Sequence, residues 1–161
     1  MTDTITLPPG AAINRQRLML AFHAMVGRVL YAWGAKESDL TTWPAFVERL
    51  DCSGFVTFIV AWASGQRIIM PDGSAQQHAW CNAAGLHQLD SYHDLSYTVA
   101  DPDRLFVAFI PPTGPHPGHV WLVREGSTME CRSRAGVSSR AWNAPVLRRG
   151  AVAVYELPAY D

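Results

Sequence analysis

Apolar positions along the chain change their spacing halfway. From Ala11 to Leu30, the residues Leu18, Leu20, Ala21, Met25, Val26 and Val29 recur with a mostly helical period, and Asn14 stands where a cap belongs. Tyr31-Ala32-Trp33-Gly34 breaks that pattern, and residues 35–50 read as an irregular or partly helical connection. A second helix is predicted from about Cys52 to Ser64, with Gly65 ending it. Pro71-Asp72-Gly73 predicts a turn, and Ser74 a cap for a third helix over 75–84. The second half reads as strands: Leu105–Ile110, His119–Arg124, Thr128–Arg132 and a last one over 151–156. Helices followed by an antiparallel sheet predict an α+β fold. Residues 1–10, closed by Pro8-Pro9-Gly10, read as a tail, and 11–161 as a single domain without repeat or linker.

A chain of 161 residues is long enough to bury a core without staples. Its net charge of −1, with no basic cluster, argues against nucleic-acid and anionic-membrane partners. No apolar run reaches the ~20 residues needed to span a bilayer. The stretch MTDTITLPPG lacks the basic and apolar regions of a signal peptide. The expectation is therefore a protein made in the cytoplasm that remains there or is carried to its target by another machine. Three cysteines, Cys52, Cys81 and Cys131, are too few and too odd in number for a disulfide framework.

One of them has a chemical setting. Asp51-Cys52-Ser53-Gly54-Phe55-Val56 puts Cys52 at the start of the second helix, where unpaired N–H groups and a partial positive charge favour a thiolate. Gly54 leaves room for another molecule to come close. A thiolate nucleophile needs a base and a group that orients the base. Six histidines compete: His23 and His78 fall inside helices, His87 and His93 in a polar connection, and His116 among prolines. His119 opens a strand directly after Gly118, on the rigid backbone that catalysis requires. If the two strands pair through a tight Glu125-Gly126 turn, Trp121 faces Glu130 and His119 faces Arg132, all on one face. A slip by one residue would bring Met129 and Cys131 there instead. Glu130 is then placed to accept the second imidazole N–H. Glu130 and Arg132 read equally well as an exposed pair on a polar face.

The segments Tyr31-Ala32-Trp33-Gly34, Asp51 to Val56, Pro71 to Ser74-Ala75-Gln76-Gln77 and Gly118-His119-Val120 appear together in that order, and over 31–132 the chain resembles the NlpC-type cell-wall peptidases. These are papain-like cysteine enzymes that cut peptide bonds in peptidoglycan. The resemblance implies Cys52 as nucleophile and His119 as base, with Glu130 near a third polar position that more often holds His, Asn or Gln. Arg132 is a rival there. It implies that Tyr31 lines the site and that Asp51 and Ser53 help to bind the substrate's amine end. An Asp51 carboxylate aimed at the thiolate would oppose its charge, so it should face away or meet a cation. Ala35 stands where the family often has a second glycine, and Asp103-Arg104-Leu105 where it often has a Pro-Gly-Asp turn.

The implied function is hydrolysis of stem-peptide bonds, most commonly between D-glutamate and diaminopimelate. Delivery by a phage tail or virion is one reading, since Met129 to Asn143 is similar to phage members. An interbacterial amidase effector with an immunity partner is another. The contrasting class is a non-catalytic binding or assembly module. No cofactor is implied. His78, Cys81 and His87 are too few for zinc. The six tryptophans read as core and cleft walls, with Trp33 a residue that could stack on substrate.

Overall fold

The computed structural model describes residues 3–161. Two short strands and a helix open the chain: β1 (Ile13–Asn14), α1 (Arg15–Met25) and β2 (Leu30–Tyr31). Asn14 caps α1, its side chain accepting from the Arg17 N–H at 2.8 Å. The helix stops at Met25, earlier than the periodicity suggests, because Val26 leaves the helical region at ψ 133°, the Gly27 N–H donates to Val137 O and Val29 O accepts from the Val137 N–H. A 3₁₀ turn (Pro44–Phe46) and β3 (Arg49–Leu50) follow, with β3 parallel to β2.

The helix α2 (Cys52–Ala63) is the axis of the molecule. Its residues from Ser53 onward are buried on every side, as a helix apolar all round must be. Packed beside it is α3 (Ser74–Ala83), whose N-cap is Gly73 rather than the expected Ser74, which is the first helical residue. Gln77 joins the two helices. Fully buried, its side-chain nitrogen donates to Ser53 O and Thr57 Oγ1 at 2.9 Å and Pro71 O at 3.0 Å.

The strands β4 (Leu105–Ile110), β5 (His119–Arg124), β6 (Ser127–Arg132), β7 (Gly136–Ser138) and β8 (Ala153–Leu157) form one antiparallel sheet in the order β7-β6-β5-β4-β8. The last strand thus starts two residues later than predicted. Between β7 and β8 lies α4 (Pro145–Gly150), and β9 (Ala159–Tyr160) pairs in parallel with β1. One sheet face packs Val107, Phe109, Val120 and Leu122 into the core around α2. The other packs Phe106, Ala108, Trp121 and Val123 with Tyr92, Leu95 and Leu147 into a second cluster. The expected tail packs too: Ile5 and Leu7 lie on the main core, and the Ile5 N–H bonds Ala83 O at 3.1 Å. Its first two residues lie outside those described.

Candidate active site

Cys52 is the first residue of α2, and the residue before it caps the helix. Asp51 Oδ1 accepts from the Gly54 N–H at 2.6 Å and from Ser53 Oγ at 3.2 Å. Its other oxygen faces the Lys36 ammonium at 3.5 Å, so the carboxylate does meet a cation. Gly54 serves a different end from the one its sequence suggests. A Cβ there would lie 2.6 Å from Ala35 O and 2.9 Å from Asp51 Oδ1. The close approach it permits is that of the chain's own 34–36 loop, which is tied to the helix start by the Asp51 N–H bond to Ala35 O at 2.9 Å.

Strand β2 continues this arrangement, since its register with β3 puts Tyr31 opposite Leu50, immediately before Asp51-Cys52. Burial holds the Tyr31 hydroxyl above its ordinary pKa, and the nearby Cys52 and Asp51 push in the same direction.

His119 is the first residue of β5, the central strand of the sheet. Gly118 before it has φ +82°, and a Cβ there would meet Ile110 O at 2.6 Å and Pro112 N at 2.9 Å. The chain therefore needs glycine to turn into the strand at that point. The β5–β6 hairpin turns at Glu125-Gly126, both at positive φ, with Arg124 opposite Ser127 and Leu122 opposite Met129. Continuing that register sets Trp121 against Glu130, the unslipped pairing. His119 Nε2 lies 2.9 Å from Glu130 Oε1, and its ring stacks on Trp121 with centroids 5.4 Å apart. Trp121 is itself held by Tyr92, its indole N–H donating to the phenol oxygen at 3.2 Å.

Glu130 is fully buried, which rules out the exposed-pair reading. Its cation is not Arg132 but Arg140. Arg140 Nη2 reaches Oε1 at 2.8 Å and Nε reaches Oε2 at 3.0 Å, a two-pronged pair, and Thr128 Oγ1 donates to Oε2. Burial alone would raise the Glu130 carboxyl. The bonds from His119, Arg140 and Thr128 outweigh it and bring the pKa down to about 2. For His119, burial pulls downward, but hydrogen bonds with Cys52 and Glu130 prevail and hold the imidazole above its ordinary value. With Nε2 turned to Glu130, Nδ1 is the nitrogen left for Cys52.

The structure thus joins His119 to Glu130, and Cys52 stands near enough to raise the imidazole. Trp33, Asp51 and Ser53 line a cleft of about 360 Å³ beside Cys52, with Lys36, Ser74 and Pro117 in its other walls. Arg132 stands apart in the β6–β7 ladder opposite Gly136, its Nε buried without a partner. A larger concavity of about 620 Å³, lined by Pro8, Leu86 and Pro158 among others, shares no wall with this cleft. Cys81 and Cys131 are buried free thiols, each pushed up to about 12 chiefly by burial. His78 is stacked on Phe109. Among the described residues no three His, Cys, Asp or Glu side chains gather as a metal group.

The sequence reading missed Arg140 and Lys36. Arg140 lies in a connection without periodicity, and its only signal is that a buried Glu130 must have a cation. Lys36 follows a motif residue directly, yet only the fold of the 34–36 loop brings it to Asp51.

No protein-family model matches the sequence, and no curated protein matches it by sequence. Solved structures do match. An NLP/P60 family protein from Staphylococcus aureus, described as similar to a lipoprotein, aligns with TM-score 0.55 and 16% identity over 91% of this chain and 41% of its own. The P60 domain of an antigen from M. avium subspecies paratuberculosis aligns with TM-score 0.54 and 18% identity, over 89% and 92%. RipD from Mycobacterium tuberculosis, described as a non-catalytic NlpC/p60 domain protein adapted to peptidoglycan binding, gives TM-score 0.51 and 16% identity, over 88% and 94%. The chain spans about two fifths of the Staphylococcus aureus protein's length. At 16–18% identity these matches rest on the shape of the chain, a helical part packed on a small antiparallel sheet, and this chain has the NlpC/P60 fold.

Proposed function

We propose that the chain is a cysteine peptidase acting on peptide bonds of bacterial peptidoglycan. The observation that carries this reading is the imidazole of His119 fixed at 2.9 Å from the buried Glu130 carboxylate, with Cys52 at the start of α2 near it. In the proposed reaction, His119 Nδ1 takes the Cys52 proton, and the thiolate attacks the scissile carbonyl carbon. Backbone N–H groups at the start of α2 stabilise the oxyanion, a donor of this kind being worth about 10²–10³ in rate. The imidazolium then protonates the leaving amine, and water hydrolyses the acyl-enzyme. Glu130 holds the ring and offsets its charge, as the third member of such sites does. The D-glutamate–diaminopimelate bond is the substrate the resemblance favours, and delivery to the wall by a phage particle or a secretion machine belongs to the same proposal.

RipD favours one second reading, a peptidoglycan-binding module. The two differ in what Cys52 does. Purified peptidoglycan incubated with the wild-type chain should release new stem-peptide fragments, identified by mass spectrometry, and Cys52→Ala should release none. Failure of the wild type on several wall chemotypes, with retained binding to sacculi, would establish the binding module instead.

A further inference from the structure

The cleft beside Cys52 contains a carboxylate that is already occupied. Asp51 Oδ1 serves the helix cap, and Oδ2 faces the Lys36 ammonium at 3.5 Å. The same ammonium lies 3.5 Å from Ser53 Oγ and 3.8 Å from Asp72 Oδ1. Lys36 is the only cation lining this cleft among the described residues. Its side chain is 31% exposed against 11% for Asp51, so the lysine, rather than the acid, is what an incoming molecule meets. The lysine stem is seated, because its Cγ passes over Gly54 at the start of α2. Asp51, among the described residues the one carboxylate in this cleft that could pair with a substrate ammonium, is therefore already paired from within the chain. A second ammonium brought there would be repelled by a like charge and would have to displace Lys36 from Asp51.

We infer that Lys36 sets substrate specificity, making the cleft select peptides whose amino end is acylated over those whose amino end is a free ammonium. This rests on the peptidase reading and narrows its substrate class. A stem peptide still joined to the glycan through its amino end carries an amide and no charge there, whereas one already released carries the ammonium. The inferred substrate is thus the attached stem of intact wall.

The test uses two probes, synthetic L-Ala-γ-D-Glu-diaminopimelate with a free amino end and the same peptide N-acetylated. Cleavage is compared for the wild type, Lys36→Met, Lys36→Gln and Lys36→Arg. Binding of each probe is measured by calorimetry on the same chains carrying Cys52→Ala. The wild type should favour the acetylated probe by about tenfold or more in kcat/KM and in affinity. Lys36→Arg should keep that preference, and Lys36→Met and Lys36→Gln should erase or reverse it. Equal use of both probes by the wild type, or an unchanged preference in both neutral variants, overturns the inference while leaving the peptidase intact. If the wild type cleaves neither probe, the peptidase reading is decided by the peptidoglycan digest, and the affinity ratio alone decides the role of Lys36. Absence of binding to either probe overturns it.

Discussion

A carboxylate with no exposed surface is stable only where every lone pair has a partner and the charge is matched. Glu130 meets both conditions through Arg140, Thr128 and His119. Its pair with Arg140 is close to neutral as a unit, so the buried carboxylate adds little net charge beside His119. The two halves of the pair should be strongly coupled. Arg140→Met should destabilise the chain by about 3–5 kcal/mol, since it leaves a buried charge unpaired. Glu130→Gln combined with Arg140→Met should recover much of that loss, a coupling that denaturant titration of the four chains measures directly. The same variants should move activity in a definite direction. His119 is held above 6.5 in part by the Glu130 charge, so the imidazolium should persist above that pH in the wild type. Glu130→Gln removes that support, and the alkaline limb of kcat/KM should fall to lower pH. An unmoved limb would mean that Glu130 does not act on His119.

At the scale of elements, two backbone junctions position the chemistry. One is the start of α2, where the 34–36 loop crosses Gly54 and the Asp51 cap. The other is the entry to β5, where Gly118 at φ +82° passes between Ile110 O and Pro112. Gly118→Ala combines a left-handed backbone with an overlap against main-chain atoms. It should cost about 1–3 kcal/mol in stability and lower kcat further by displacing His119. Thermal melting and steady-state kinetics on the same preparation check both effects. The long elements are plain in the sequence because their periodicity is sustained: α2, β4 and β5 lie where the apolar pattern puts them. The pairs β1–β9 and β2–β3 are not, since two-residue strands are too short to carry a period. The 3₁₀ segment Tyr92–Tyr97 and the short helix α4 fall in stretches of mixed polarity for the same reason.

For the molecule as a whole, the site is also part of what holds the sheet together. The Glu130 cluster ties β5 and β6 to Arg140 beyond β7, so protonating it should weaken the fold as well as the chemistry. The sign follows from the shift. A carboxyl whose folded pKa of about 2 lies below its ordinary 4.5 stabilises the fold fully above the higher value. That contribution is lost as pH falls from about 4.5 toward 2. Acid unfolding monitored by near-UV circular dichroism should show this loss over that window, and Glu130→Gln should flatten it. A wild type equally stable at both ends of the window would contradict the buried ionised state.

The sequence by itself determined the α+β class, the capped apolar helix that begins at Cys52, the hairpin turn at Glu125-Gly126 and hence the face shared by His119 and Glu130. These are local properties, fixed by periodicity, capping and turn chemistry within a few residues. Only the tertiary structure decided which cation meets Glu130, that Gly54 admits the Ala35 carbonyl rather than a substrate, and that Lys36 occupies the Asp51 carboxylate in the cleft. Each of these joins segments whose separation in the chain has no bearing on their distance in space. Charge pairing and close packing act on that distance alone.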